Sequence, residues 1–191
     1  MDLSTQIRSL DEFKAIDGGF LSSDWKSLGD VDNPIQSNTY ELATACQLSI
    51  NTKCSVVKLQ NCSFDDFNYN FNEADGVLIA DKNKRSAVIK FPLRLTFLSP
   101  VRAIGTQISI DGKPEANYFG MMQLNLGNDI ADDYWQVRGT LNSVRGSAPF
   151  IGAKAAPGKL ISEAWFDAVY ISNVPASRIL MVAINTLYVL P

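Results

Sequence analysis

The densest mixture of side chains able to recognise a ligand is the segment Asn128-Asp129-Ile130-Ala131-Asp132-Asp133-Tyr134-Trp135. A sugar ring has an apolar C–H face and a polar rim, so Trp or Tyr beside Asp, Asn or Gln is the mixture that holds one. Asn128, Asp129, Asp132, Asp133, Tyr134 and Trp135 are therefore the candidate ligand-binding residues. The competing reading turns Tyr134 and Trp135 into the core, where strand aromatics commonly point. Trp25, Tyr118 and Phe119 also stand beside polar residues. Asp30 and Asp32 flank Val31 just before Asn33-Pro34 and are the candidate ligands of a structural calcium. That ion takes about six to eight oxygens from loop carboxylates and carbonyls. Asp65 and Asp66 make a further acidic pair. None of these clusters has EF-hand order, and a solvated turn, in which Asp and Asn bond their own backbone, is the plainer account of each.

The 191 residues contain no histidine. This removes Ser-His-Asp and Cys-His nucleophiles, a histidine general base and every histidine-containing metal site. Catalysis by a pair of carboxylates, as in a glycan hydrolase or lyase, needs two acids about 5–9 Å apart across a cleft, and many pairings here permit it without pointing to one. Cys46, Cys54 and Cys62 lie eight residues apart. Three readings stand: buried strand or turn thiols, one disulfide with one thiol left over, or zinc, which lacks both a C-x-x-C spacing and a fourth ligand. Asn61-Cys62-Ser63 matches a glycosylation sequon, a tripeptide that carries little information alone.

With 17 basic and 20 acidic residues the formal net charge is −3. The densest basic group, Lys82, Lys84 and Arg85, has the form of a hairpin turn. Nothing here favours nucleic acid or an anionic membrane, which call for clustered Lys and Arg. The N-terminus lacks the basic and apolar regions of a leader. The longest apolar stretch, Ile179 to Leu190, is interrupted by Asn185-Thr186 and is too short to cross about 30 Å of hydrocarbon as a helix. The expectation is an extracellular or cell-surface mature form, with a cytoplasmic location left open.

The elements that must position these residues are strands. Ile7, Leu10 and Phe13 are spaced for one face of a short N-terminal helix, with Ser9 and Glu12 as a capping box. Beyond it, period two dominates. Ala87 to Phe97 has apolar side chains at every odd position and Lys90, Arg94 and Thr96 between them, the pattern of a half-buried strand. Pro92 suggests an edge or a bulge. Asp81 to Arg85 reads as the turn of a hairpin joining this strand to Gly76–Ala80. After a break at Ser99-Pro100, an alternating run through Ile104, Ile108 and Ile110 ends at Asp111-Gly112, a dipeptide that accepts positive φ. Further runs cover Phe119–Leu126, Tyr134–Leu141, Phe150–Ala153, Trp165–Ile171 and Ile179–Leu190. Ile179 to Ile184 is apolar on both faces, as suits a central strand covered on both sides or shielded by the N-terminal segment. Short strands with turn signals every ten or so residues, and no long helix, define the fold class: an all-β, two-sheet antiparallel sandwich forming a single domain over 1–191.

The succession Leu95 to Gly105, containing Phe97-x-x-Pro100-Val101-x-Ala103-x-Gly105, resembles a stretch of bacterial exported β-sandwich domains of the galactose-binding-like or jelly-roll type. Ala148-Pro149-Phe150-Ile151-Gly152 resembles a short strand of the same domains, and Ile161–Phe166 with Ala183–Leu187 resembles their closing pair. The resemblance spans roughly residues 70–190, and the reading departs from the family in expecting neither its leader nor its sorting anchor. It implies an extracytoplasmic binding or structural module and carries no catalytic residue across.

The functional expectation is a non-catalytic binding module that recognises carbohydrate or another surface ligand through loops at one end of the sandwich. One alternative is a structural, assembly or toxin-complex component acting by self- or partner-association. The other is a carboxylate-based glycan hydrolase or lyase.

Overall fold

A computed structural model describes residues 3–25, 39–43, 46–50, 57–61, 70–72, 75–81, 93–112, 114–127, 133–171 and 181–191, with 39–43, 57–61 and 81 described in their backbone only. In chain order come β1 (Ser4–Ile7), helix α1 (Leu10–Lys14), β2 (Leu21–Ser23), β3 (Thr39–Ala43), β4 (Cys46–Ile50) and β5 (Val57–Asn61). Next are β6 (Gly76–Asp81), β7 (Leu93–Val101), β8 (Ala103–Ile110), β9 (Asn117–Asn125) and β10 (Asp133–Thr140). The last are β11 (Phe150–Ala155), β12 (Ile161–Tyr170), β13 (Met181–Ile184) and β14 (Leu187–Leu190).

These strands form the expected two-sheet antiparallel sandwich. Sheet two runs β10-β9-β12-β7-β4-β3. Sheet one runs β1-β11-β8, after which β13 and β14 lie end to end along β8, with β6 and β5 beside β13 and β2 beside β14. In sheet two the period of two does what the sequence asks of it. Leu93, Leu95 and Phe97 are buried while Arg94 and Thr96 face outward, and β9 alternates along its whole length. The inner faces meet in one core, with Leu48, Leu95, Met122 and Phe166 against Ile104, Ile108, Val182 and Ile184.

Sheet one is buried on both faces, which explains why β13 has no polar side. Its outer face carries Val77, Ile79 and Ala183 beneath Phe71 and Ala148. Further along the sheet, Ala103, Phe150 and Leu190 lie beneath Ile7 and Phe13. Helix α1 brings Phe13 there: the Ser9 hydroxyl accepts from the Glu12 amide at 3.1 Å, and Glu12 Oε2 accepts from the Arg8 amide at 2.7 Å. Phe13 then packs edge-on to Phe150, ring centres 6.2 Å apart, and 6.1 Å from Tyr188. Gly105 makes room, since a Cβ there would stand 2.4 Å from the Phe150 ring and 3.0 Å from Phe13. The expected N-terminal helix thus starts at Leu10, and Ile7 belongs to β1 instead.

Between β13 and β14 the strand breaks at Asn185, whose side chain is buried and fully used. Its Nδ2 donates to Gln107 Oε1 (2.7 Å) and Asp75 Oδ2 (3.0 Å), and its Oδ1 accepts from the Gln107 amide (3.2 Å). The Trp25 indole N–H donates to the Asn185 carbonyl. Trp25 is fully buried and holds φ at 64°, a conformation that a bulky residue adopts only under constraint from its surroundings.

Three local expectations are corrected. β6 and β7 are not a hairpin: β6 lies in sheet one between β13 and β5, and β7 lies in sheet two between β12 and β4. The reason is visible in their faces, because β6 is buried on both sides and β7 on one. β12 and β13, likened to a closing pair, also lie in different sheets. Finally, Ser99-Pro100 does not end a strand. β7 runs on to Val101, with Leu98, Ser99 and Pro100 exposed in a bulge where the register against β12 shifts. Pro92 precedes the described part of β7, which is an interior strand. After Asp111-Gly112 it is Glu115, not Gly112, that takes positive φ (66°). Cys46 is a buried free thiol, and burial raises its pKa. Cys54 and Cys62 lie outside the described residues. None of the described helices is long and apolar enough to cross a membrane.

Candidate functional site

Of the six residues proposed from sequence to bind a ligand, Asp133, Tyr134 and Trp135 are described, and they open β10 at the edge of sheet two. Asn128, Asp129 and Asp132 lie outside the described residues, as do Asp30 and Asp32. Among the described residues no group of three or more Cys, Asp or Glu could hold a metal ion.

The pleat separates the two aromatics. Trp135 stands opposite the buried Met122 and packs against the core, whereas Tyr134 stands opposite Gln123 and is 43% exposed. They are not one platform. Tyr134 shares the outer face of β10 with Gln136 and Arg138, and its hydroxyl accepts from Gln136 Nε2 at 2.7 Å. Across the strands the same row continues through Gln123 to Trp165 and Arg94. The Arg94 guanidinium lies 5.4 Å from the Trp165 ring centre and pairs with Glu163.

Trp135 borders an open recess of about 450 Å³ lined by Ser4, Thr5, Gln6, Arg8, Glu12 and Trp135. The sheets are offset here. β11 faces β9 and β10 across the core, so β1, added beyond β11, stands over the place that a further strand beside β10 would take. Two side-chain bonds span the gap: Trp135 Nε1 donates to Ser4 Oγ at 2.9 Å, and Gln6 Nε2 donates to the Gln136 carbonyl at 2.7 Å. Among the described residues no strand lies beneath β1, and the buried Ser4 meets the Trp135 indole there instead. Arg8 Nε donates to Gln6 Oε1 at 3.3 Å, and Glu12, the one carboxylate lining the recess among the described residues, accepts from the Arg8 amide.

Among the described residues both strands flanking the recess are sheet edges, and the hydrogen bonds fix which backbone groups face it. Leu141, continuing β10, exchanges bonds with Glu115 and Ala116 on the β9 side. Odd positions of β10 therefore pair with β9, and Tyr134, Gln136, Arg138 and Thr140 turn their N–H and C=O outward. The Thr140 carbonyl is taken by Asn70 Nδ2 (3.0 Å) and the Gln136 carbonyl by Gln6. On β1, the Ala156 amide bonds the Leu3 carbonyl, so Thr5 and Ile7 pair with β11 while Ser4 and Gln6 face away from it.

Nothing in the sequence marked Ser4, Thr5, Gln6, Arg8 and Glu12 as neighbours of Trp135. The one usable signal is that Gln6 and Ser4 are polar on a strand whose Ile7 is apolar.

No family model matches the chain, and no curated protein matches it. Among solved structures, the enzymatically active domain of tailspike protein 4 of bacteriophage CBA120 is similar over 76% of this chain at 16% identity, with a TM-score of 0.31. The chain spans 19% of that structure's length, and a likeness this low carries no argument.

Proposed function

We propose that this protein is a non-catalytic binding module that acts by associating with a partner along the β1–β10 side of the sandwich. The observation that supports it is the recess itself: a polar gap beside an edge strand whose outward backbone groups at Tyr134, Gln136 and Arg138 bond no further strand among the described residues, the Gln136 carbonyl being taken by the Gln6 side chain alone. Among the described residues the carboxylate that lines it, Glu12, is held by the helix start. A second reading, carbohydrate recognition, draws on Tyr134, whose exposed ring carries a hydroxyl already oriented by Gln136. Both readings accord with an extracellular or cell-surface location.

Parallel screening of the immobilised protein against a random octapeptide display library and a glycan array tests them. Peptide binders lost in Gln6→Arg, which fills the recess, support partner association. Glycan binding lost in Tyr134→Ala and kept in Gln6→Arg transfers the assignment to carbohydrate. A wild-type protein that retains neither kind of ligand removes the binding-module reading.

A further inference from the structure

We infer that the recess is a strand position left vacant among the described residues, and that the partner seats there as one extended peptide segment hydrogen-bonded to the edge of β10. This rests on the binding-module reading and names its ligand. Sheets in a sandwich pack about 10 Å apart and strands within a sheet about 4.8 Å apart, so a strand added to β10 falls under β1. Tyr134, Gln136 and Arg138 present their N–H and C=O groups to it in the alternate spacing that an antiparallel ladder uses.

Among the described residues no strand covers the edge. Exposed edges are normally blunted by Pro, Lys or a bulge, yet Asp133–Thr140 contains neither residue and pairs with β9 over eight consecutive positions without a register shift. The protection that exists is side-chain: Gln6 on Gln136 and Asn70 on Thr140. The first is a single amide that swings aside when a strand replaces it.

The slot takes one strand and not a second copy of the sandwich. If two copies paired through β10, the overhanging β1 of each would need the space held by the other's sheet one. The segment's composition follows from the two faces it meets. Toward β1 it touches Ser4, Gln6 and the Trp135 edge, which suits small hydroxyl side chains. Toward solvent it lies beside Tyr134, Gln136 and Arg138, which suits an aromatic residue opposite Tyr134 and an acid opposite Arg138.

The probe is therefore an acetylated, amidated heptapeptide of threonine with glutamate at its second position and tyrosine at its sixth. Titrated to about millimolar concentration, as a single short strand requires, it should shift and protect the amides of Tyr134, Gln136 and Arg138 in hydrogen-exchange NMR. N-methylation at the peptide's second, fourth and sixth nitrogens should weaken binding about tenfold or more, while N-methylation at the third and fifth should leave it unchanged. Arg138→Pro should weaken it as well, because this N–H serves no bond to β9. A probe that leaves the three amides unaffected, or binds equally when methylated at the even positions, overturns strand addition. So does concentration-dependent dimerisation through β10. If library peptides bind the recess while the probe fails these tests, the binding-module reading stands without the strand. If neither binds, both fall.

Discussion

Tyr118 is fully buried, and its hydroxyl donates to the Ile108 carbonyl at 2.8 Å. Its ring fills space left by Gly139, where a Cβ would come within 2.3 Å of it. Burial pushes the phenol well above its ordinary value near 10, an effect that a hydrogen bond with Ser109 offsets only in part. Tyr118→Phe keeps the ring and removes the hydroxyl, which costs about 1 kcal/mol at neutral pH. The sign of the pH effect follows from the raised folded value. Above pH 10 the unfolded chain releases the proton and the folded state keeps it, so wild-type stability attributable to this group falls by about 1.4 kcal/mol per pH unit. The variant has no such slope. The wild-type advantage should therefore hold below about pH 9, vanish between about pH 10 and 11, and then reverse. The thiol of Cys46 and the phenol of Tyr188 are raised as well, but they are present in both proteins and cancel in the difference. Urea unfolding followed by tryptophan fluorescence from about pH 8 to 11 measures it. A stability difference that stays constant across that range refutes the reasoning.

Gly105→Ala drives a methyl into the Phe150 and Phe13 rings and should lower stability by about 1–3 kcal/mol in thermal melts; an unchanged melting temperature would mean that the α1 cover yields freely. Asn185→Leu strips Gln107 and Asp75 of their buried partner and should cost about 3 kcal/mol by denaturant titration, against less than 1 if water takes over those bonds. Deleting residues 181–191 should abolish the single cooperative transition expected of one domain; a truncated chain that still melts cooperatively would show β8 to be self-sufficient. A structural calcium at Asp30 and Asp32 should raise the melting temperature on titration, an increase lost in Asp30→Asn/Asp32→Asn; no increase in the wild type removes the ion.

Strand positions were largely legible because burial on one face writes itself as alternation, clearest in Leu93, Leu95 and Phe97 against Arg94 and Thr96. Strand partners were not. Alternation states which side of a strand is buried and is silent about which strand lies beside it, so two adjacent runs have the pattern of a hairpin although they part into separate sheets. A discriminating signal was present. Val77-Leu78-Ile79-Ala80 has no polar side and belongs in the doubly covered sheet, like Met181–Ile184, while Leu93–Phe97 does not. The recess follows the same logic. That Tyr134 and Trp135 point apart follows from adjacency in a strand, but that Trp135 meets Ser4 depends on a pairing between segments about 150 residues apart (Ser4 with Ala155), which no local pattern encodes.

The end-to-end placement of β13 and β14 along β8 has a consequence for biosynthesis. Residues 181–190 fill the middle of sheet one, between strands made much earlier, so β8, β6 and β2 have no shared neighbour until this stretch leaves the ribosome. Until then the nascent chain holds bare strand edges and an uncovered apolar face, the features that recruit chaperones and promote misassociation. Folding of this sheet is thereby timed by the latest-made of its described strands, and a pause in translation before residue 181 should lengthen the exposure of every strand that waits for them.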